Sequence, residues 1–463
     1  MFPKTTRLAW LLPLALLHLG CGSDSGGDAQ GGAGGGATGG GGAGGTGTGG
    51  SAGATGGAGG TAGLSCSAPP KQFWTWDLGV MPPKDVQIAA TCRGQSAHAN
   101  VYVADSVWGT DVTEPQVGSV LAAFDSATPA DSTKGVYGLD VETFGEPPDV
   151  DQDPRVNLFY VPMKPFQGIS FDGFFRDTDQ GSGATSNQTE MLHLNSSGSN
   201  PIDSDYMLGV VAHELVHLIA WKYDPADEGW LSEALAEVAM VRAGYLTDLP
   251  AAKSYAKATS TTPLCVKSYS DYGATFSFGA YVWDRFGASF VKGVTQEPIH
   301  GRAGIEAHLP GGSSFRNLFG EFMVATRIDQ PGIGDGRFGY SSIDISGIGS
   351  EISAKLDGSS GSFDVVHFGS RTLRFTPSGA GTVSVTLSSS KVGDLVTHAV
   401  VANPSNLASA KVEAKDAAAG PISVNVGAGE VLDLVIAVDP GSSLASGENA
   451  PVASVSYQAT FSP

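Results

Sequence analysis

The stretch VVAHELVHLIAWKYDPADEGWLSEALAEVA, residues 210–239, constrains the fold more than any other part of this sequence, because it sets histidines and glutamates among residues that suit a core. Its first half predicts a helix beginning near Ser204, since apolar residues recur at i, i+3, i+4 and i+7. A second helix is predicted from about Trp230 into the 240s, after the break at Pro225. Two apolar helices therefore hold ionisable side chains that need partners if they are buried.

Two histidines of the first helix are spaced for a metal ion. Residues four apart on a helix lie one above the other, so His213 and His217 direct two imidazoles at one spot, and Glu214 reaches the space beside it. Catalytic zinc takes three protein ligands and keeps one position for water. The pattern H-E-x-x-H-x-x-G-x-x-H would supply the third ligand, but Ala220 and Tyr223 replace its last Gly and His. The third ligand must come from another segment.

The second helix offers two carboxylates for that position. Glu233 and Glu237 are four residues apart in WLSEALAE and share one face of an otherwise apolar helix. Alternatively, these glutamates form a solvated face, and HELVH is a buried helix whose histidines are satisfied by hydrogen bonds. The neighbours of the glutamates leave little polar surface, and buried carboxylates need a metal or a partner. The two segments together favour a zinc site.

The segment HELVH followed by WLSEALAE resembles the gluzincin metallopeptidases, which carry H-E-x-x-H and a later N-E-G or N-E-A type segment. Within that clan the flanking segments are most similar to the hyicolysin-type neutral zinc peptidases. The resemblance covers roughly residues 73–300. Its supporting flanks are FGEPPDVDQDPRVNLFYV, SNQTEMLHLN and DYGATFSFGAYVWDRFG.

This resemblance implies a role for each polar residue of the two helices. His213, His217 and Glu233 would bind one catalytic zinc ion. Glu214 would act as general base and proton shuttle on the bound water. Glu237 would accept a hydrogen bond that holds one histidine in its metal-binding tautomer.

The chain departs from the family pattern at two places near these residues. Ser232 stands where Asn is usual, and the interval from His217 to Glu233 is shorter than in the thermolysin and aminopeptidase members, so the connecting turn must be tight. Gluzincins often stabilise the developing oxyanion with a downstream Tyr or His. Tyr272, at the start of a third predicted helix, and Tyr269 are the candidates, and each is equally suited to aromatic packing.

The resemblance also indicates endopeptidase rather than aminopeptidase action. The G-x-M-E-N segment with which the aminopeptidase branch grips a free N-terminus is absent, because TEMLHLN, residues 189–195, occupies its place. By analogy, this strand pairs with the main chain of an extended substrate. We expect a secreted or surface-anchored zinc metalloendopeptidase acting on proteins or peptides. The alternative is a surface adhesion or binding lipoprotein with an inactive peptidase-like domain.

The pattern along the chain predicts an α+β zincin-like catalytic domain followed by an all-β sandwich. Residues 64–165 form its β-rich N-terminal part, and residues 166–355 carry the active-site helices and a helical lobe with a third helix at 274–286. Residues 356–463 alternate with period two between turn signals, which is typical of a β-sandwich. The strands predicted in the first part lie at 100–108, 136–145 and 156–163.

The N-terminus predicts export. Residues 1–20 combine two basic residues with a short apolar run, as in a signal peptide. The following Cys21 completes a segment that resembles a bacterial lipobox and implies a lipid anchor, although ordinary signal-peptidase cleavage is the alternative. Residues 21–63 are almost entirely Gly, Ala, Ser and Thr and predict a flexible tether. We expect an outer-membrane or cell-surface lipoprotein, otherwise an extracellular protein, that contacts membrane only through Cys21.

Charge and cysteine content limit the partners and the cross-links. The chain has 46 acidic and 26 basic side chains, a formal net charge of -20, so it lacks the basic face that nucleic acid requires. In an exported chain Cys66 and Cys92 are the expected disulfide. Cys265 is left unpaired in that arrangement, although other pairings are open.

One loop suggests a second metal. Asp149, Asp151 and Asp153 alternate in the Pro-rich segment FGEPPDVDQDP. This spacing suits calcium, which takes oxygen ligands, whereas the alternative is a solvated turn.

Overall fold

The computed structural model describes residues 64–463 apart from 167, 247–248, 268–270, 347–348, 350 and 448–449. The predicted signal peptide, Cys21 and the tether at 21–63 lie outside the described residues, and so does Tyr269. The described chain forms a mixed sheet, a group of helices and a β-rich C-terminal region.

Six strands form the first sheet: β1 (Lys71–Asp77), β2 (Lys84–Gln95), β3 (Ala99–Ala104), β4 (Val156–Val161), β5 (Gly173–Phe175) and β6 (Met191–Asn195). Their spatial order is β1-β2-β3-β4-β6-β5. β3, β4 and β6 run parallel to one another, and every residue of these strands is buried. Burial on both faces explains why they are continuous apolar runs. The outer strands pair antiparallel. β5 is last in the spatial order and therefore forms one edge of the sheet.

Two helices, α1 (Glu114–Asp125) and α2 (Val136–Thr143), separate β3 from β4 in the chain. The prediction of a strand at 136–145 is therefore wrong. Its β-branched and aromatic residues favour a strand, but its burial follows the helical period. The buried residues of α2 recur at i, i+3, i+4 and i+7, namely Val136, Leu139, Asp140 and Thr143.

Six further helices follow: α3 (Asp205–Tyr223), α4 (Gly229–Ala243), α5 (Pro250–Ala258), α6 (Tyr272–Thr295), α7 (Gly301–His308) and α8 (Phe315–Ile328). α3 packs on β5, β6 and α4, and α4 packs on α6. The contact between α4 and α6 requires a glycine, because a Cβ at Gly279 would lie 2.2 Å from the carbonyl oxygen of Ala234. The predicted helix at 274–286 is confirmed as part of α6, which continues past a break at Gly287 with φ 70°.

The described part of the C-terminal region contains nine strands: β7 (Ile352–Ser353), β8 (Asp357–Val366), β9 (Ser370–Phe375), β10 (Gly381–Ser388), β11 (Leu395–Asn403), β12 (Asn406–Lys415), β13 (Ile422–Val426), β14 (Val431–Val438) and β15 (Val452–Ser462). They form a four-stranded sheet, β13-β10-β15-β8, and a five-stranded sheet, β12-β11-β14-β9-β7. Leu434 and Ile436 of β14 lie in a core shared by the two sheets, whereas Val435 and Ala437 join the core of the helical part. β14 is thus buried on both faces.

The described chain has one disulfide and one free cysteine. Cys66 and Cys92 form a disulfide, so that prediction is confirmed, and Cys265 is a buried free thiol. Among the described helices, none combines the length and apolar character that crossing a bilayer would need.

Candidate metal centre

Helix α3 places three ionisable side chains inside the molecule. Its first turn is capped by Ser204, whose Oγ accepts a backbone hydrogen bond of 3.4 Å. Every residue from 207 to 219 is buried, so this part of the helix has no solvent-facing side. His213 and Glu214 are fully buried, and His217 is 2% exposed. Polar groups in such surroundings need hydrogen bonds, ion pairs or a metal.

Helix α4 returns along α3 after a short turn at residues 224–228. The turn is fixed by Glu228, whose Oε2 accepts a hydrogen bond of 2.8 Å from Nε1 of the buried Trp230. This is the tight connection that the short interval before Glu233 required. Glu233 and Glu237 are 3% and 5% exposed. The glutamates therefore do not form a solvated face.

The structure brings His213, His217 and Glu233 together. Nε2 of His213 lies 3.1 Å from Nε2 of His217 and 3.3 Å from Oε2 of Glu233. Nε2 of His217 lies 3.8 Å from Oε1 of Glu233. Two imidazole nitrogens from one helix and a carboxylate from the next therefore converge on a single point.

This arrangement suits a tetrahedral metal ion. Nitrogen and oxygen ligands about 2.1 Å from a tetrahedral zinc lie about 3.4 Å from one another, which is within the observed range of 3.1 to 3.8 Å. Oε2 of Glu233 is buried and accepts no hydrogen bond from the described residues. A cation would satisfy this oxygen and the two facing nitrogens at once, so the residues present fit the metal.

Two neighbours approach the outer nitrogens of the histidines. Oγ of Ser232 lies 3.0 Å from Nδ1 of His217. A hydrogen bond from Nδ1–H to this oxygen leaves the Nε2 lone pair facing the cluster. Oε1 of Glu237 lies 3.7 Å from Nδ1 of His213, too far for a hydrogen bond but near enough to favour a proton there. Sequence reasoning noted Ser232 as a departure from Asn and missed this contact, although its position beside Glu233 was the available signal.

Glu214 lies beside the cluster with both carboxylate oxygens buried and without a hydrogen bond of ordinary geometry from the described residues. Burial raises the pKa of Glu214 to about 8; His213 opposes this shift, and the Glu233 carboxylate reinforces it. The N–H of Phe175 lowers this pKa to a smaller extent. Glu214 is thus a carboxyl group whose protonation state depends on the charge placed next to it.

The edge of the first sheet passes over Glu214. A Cβ added at Gly173 of β5 would lie 3.0 Å from Cγ of Glu214 and 2.8 Å from Cγ1 of Val210. The expectation that the strand at 189–195 offers a free edge is wrong, because β6 lies between β4 and β5. The short β5 contains only three residues and gave no periodic signal in the sequence.

The roles of the two tyrosine candidates both stay predictions. Tyr272 is the first residue of α6, directly after the cap Asp271, whose Oδ1 accepts the Ala274 N–H at 3.0 Å. Its side chain is half-buried, and its role as an oxyanion donor stays a prediction. Tyr269 lies outside the described residues.

The acidic loop forms a group with a different third member from the predicted one. Carboxylate oxygens of Asp149, Asp151 and Glu190 lie within 4.8 Å of one another. Asp153 does not belong to this group, because its Oδ1 pairs with Nη1 of Arg155 at 2.8 Å. Glu190 is the residue immediately before β6. It lies close to the loop in space but not in sequence, so the spacing of acids within the loop does not reveal it.

A third cluster joins the turn after α3 to the start of α7. Nδ1 of His300 lies 2.6 Å from Oδ2 of Asp224, and Oδ1 of Asp227 accepts the Gly301 N–H at 2.7 Å. It also accepts the Glu228 N–H at 2.8 Å. These hydrogen bonds hold the turn against the start of α7.

No protein-family model matches the chain. The chain is 28% identical over 164 residues to the neutral metalloprotease ShpI of Staphylococcus hyicus, a match that covers 32% of this chain and 34% of that protein. The chain thus matches about a third of the length of this curated relative.

Solved structures of PliG, a periplasmic lysozyme inhibitor of g-type lysozyme, also match part of the chain. The Aeromonas hydrophila protein is 10% identical, covering 22% of this chain and 85% of its own, with a TM-score of 0.17. The Salmonella Typhimurium protein is 12% identical, covering 25% of this chain and 100% of its own, with a TM-score of 0.18. TM-scores this low do not indicate a shared fold or a shared role.

Proposed function

We propose that this protein is a zinc-dependent metalloendopeptidase of the gluzincin type, similar to the hyicolysin-type neutral peptidases. The observation that carries the proposal is the convergence of His213 Nε2, His217 Nε2 and the Glu233 carboxylate within 3.1 to 3.8 Å of one another. The similarity to a neutral metalloprotease over 164 residues supports it independently of this geometry.

In this proposal His213, His217 and Glu233 hold the metal. A bound zinc ion supplies Lewis-acid polarisation of a carbonyl and lowers the pKa of a water molecule toward neutrality. Ser232 fixes the ring of His217 through Nδ1. Glu237 favours the Nδ1–H tautomer of His213, which leaves Nε2 as the ligand atom.

Glu214 moves the proton of the reaction. Its carboxylate takes a proton from the attacking water as the new bond from oxygen to the scissile carbon forms, and returns it to the amine nitrogen as the carbon–nitrogen bond breaks. The base must be ionised for the first step. Burial, reinforced by the Glu233 carboxylate, raises the pKa of Glu214 to about 8, and a cation held by the neighbouring cluster would favour the ionised form.

The substrate of this site is a protein or peptide in extended form. β5 is the sheet edge nearest to Glu214, since Gly173 packs directly on that side chain. Pairing between an edge strand and an extended segment reads the main chain and tolerates many side chains. Such recognition suits cleavage within a chain. Tyr272 and Tyr269 remain the proposed donors to the developing oxyanion.

The architecture belongs to the same proposal. The first sheet and the helices that carry the metal residues would be a zincin-like catalytic domain over residues 64–355, and residues 356–463 an appended β-sandwich. Export through the signal peptide and a lipid anchor at Cys21 would place the enzyme at the outer membrane or cell surface.

Metal analysis of the purified protein combined with one substitution tests the function. We expect about one zinc ion per chain and hydrolysis of a denatured protein substrate that a chelator abolishes. Glu214→Gln should retain zinc and lose hydrolysis, whereas Glu413→Gln on the exposed surface of β12 is the control. Protein without zinc, or hydrolysis that survives Glu214→Gln, would instead support a binding or adhesion lipoprotein.

A further inference from the structure

The group of Asp149, Asp151 and Glu190 has no part in the proposed chemistry. A carboxylate oxygen of each lies within 4.8 Å of the other two. Asp149 and Asp151 are exposed, whereas Glu190 is only 1% exposed. Two solvent-facing acids therefore converge on a third that is enclosed by protein.

Glu190 supplies the observation that points to a ligand. Its Oε1 accepts the Val150 N–H, but its Oε2 is buried and accepts no hydrogen bond from the described residues. An enclosed carboxylate oxygen without a partner is costly. Its neighbours in this group are two more carboxylates, which add repulsion instead of relief.

No basic side chain of the described residues compensates this group. Arg155, the cation of the same loop, pairs with Asp153 at 2.8 Å. Within the described chain no ion pair includes Asp149, Asp151 or Glu190. Among the described residues, no cationic side chain pairs with these three acids, one of which is enclosed by protein.

The framework around the group is fixed by hydrogen bonds to the sheet. Oγ1 of Thr189 donates to Oδ2 of Asp151 at 2.7 Å and accepts from Nδ2 of Asn157 at 2.6 Å. The N–H of Asn157 donates to the carbonyl oxygen of Glu190 at 2.9 Å. The acids are thus positioned by the starts of β4 and β6, which limits how far they can separate.

We propose that Asp149, Asp151 and Glu190 bind a calcium ion. Oxygen-only ligands select hard cations, and calcium accepts irregular coordination that water completes on the exposed side. Zinc prefers nitrogen and sulfur ligands, so the two metals are assigned to different groups. The ion would join the loop to the start of β6.

The loop also touches the helix that carries the histidines. Nζ of Lys222, at the end of α3, donates to the carbonyl oxygen of Pro147 at 3.0 Å. Calcium at the loop would therefore stabilise the C-terminal end of α3 as well as the sheet. This inference concerns a binding site of its own and does not depend on peptidase activity.

Calorimetric titration of calcium chloride into calcium-free full-length protein tests the proposal. We expect one site with a dissociation constant on the order of 10⁻⁴ M and a rise in melting temperature that magnesium chloride does not reproduce. Glu190→Gln and Asp149→Asn should each weaken binding at least about tenfold. Asp149 is exposed, so its variant keeps the test valid if Glu190→Gln fails to fold.

Asp153→Asn is the matched control, since it removes the same charge from the same loop outside the group, and its calcium affinity should stay within about twofold of wild type. Glu233→Gln should lose zinc while calcium binding persists, which separates this inference from the proposed function. The proposal is overturned by wild-type protein that gives neither heat nor a melting shift, by variants that bind as wild type does, or by magnesium or zinc binding this group more tightly than calcium.

Discussion

Ser232 and His217 connect the two helices of the candidate metal centre, with 3.0 Å between Ser232 Oγ and His217 Nδ1. Ser232 directly precedes Glu233, so one turn of α4 provides both a carboxylate for the cluster and a hydroxyl that orients a histidine of α3. The packing of α3 on α4 thus sets the ligand geometry. A shift of one helix would displace Glu233 and misalign His217.

Removal of the Ser232 hydroxyl should weaken zinc binding without unfolding the protein. Ser232→Ala removes the oxygen that faces Nδ1 of His217. Loss of a hydrogen-bond partner of a metal-binding histidine lowers metal affinity about 10- to 100-fold. Ser232→Thr retains the hydroxyl and should stay close to wild type. Competition with a chromophoric chelator measures the affinity, and circular dichroism checks the fold. Equal zinc affinities for Ser232→Ala and wild type would show that the contact does not orient the ligand.

Glu233 and Glu237 should differ in how they link zinc to stability. A free zinc concentration of about 100 times the dissociation constant for zinc adds about 2.7 kcal/mol to the free energy of unfolding. Glu233→Gln removes one of the three proposed ligands and should lose most of this increment. Glu237→Gln should keep most of it, because Glu237 faces the outer nitrogen Nδ1 of His213 at 3.7 Å and is not one of the three residues that converge in the cluster. Urea unfolding with and without zinc measures both. An increment that survives in Glu233→Gln would place the third ligand elsewhere.

The helices with strong apolar periodicity are the part of the fold that could be predicted from the sequence. α3 and α4 are long, apolar and capped, and each appears where its pattern predicted it. α1 was missed, although Thr113 N–H and Gln116 Oε1 form one half of a capping box at 2.9 Å. β8 was also missed. The first half of its sequence, DGSSGSFDVV, is mostly Gly and Ser and has no apolar alternation, although its backbone pairs with β15.

The candidate site was predictable where its residues share a helix and unpredictable where they meet across the fold. His213, Glu214 and His217 follow from helical spacing, and the choice of Glu233 over Glu237 as the third ligand required a resemblance to a known family. Glu190 lies near Asp151 only because β4 and β6 are adjacent. Pairing of strands that are distant in sequence leaves no local pattern, so the loop spacing pointed to Asp153 instead.

Enlarging Gly173 should impair activity more than stability. The Cβ of Gly173→Ala would lie 3.0 Å from Cγ of Glu214 and 2.8 Å from Val210 Cγ1, so one of them must move. Overpacking of this kind costs about 1–3 kcal/mol, while displacement of a general base reduces hydrolysis by about 100-fold or more. Gly183→Ala is the control, since its Cβ would meet no atom within 4 Å. A Gly173→Ala enzyme with normal kcat would show that Glu214 is not constrained by β5.

His398 should make the protein sensitive to mild acid. This residue of β11 is 6% exposed, its Nδ1 has no hydrogen-bond partner among the described residues, and burial lowers its pKa to about 4. It packs against α8, where a Cβ at Gly320 would lie 2.6 Å from its Cε1. Arg337 and Glu321 line the same cavity. The folded protein therefore keeps the imidazole neutral at a pH where the unfolded chain protonates it.

The sign of this effect follows from proton uptake. Because the folded pKa lies below the unfolded value of about 6.5, the unfolded chain binds more protons as pH falls from about 6.5 to 4. Wild type should lose roughly 3 kcal/mol of unfolding free energy across that window through this residue alone. His398→Gln cannot titrate and should lose correspondingly less, while carboxylate titrations common to both proteins cancel in the difference. Urea unfolding at a series of pH values measures it, and parallel curves for the two proteins would rule out His398 as the acid-sensitive group.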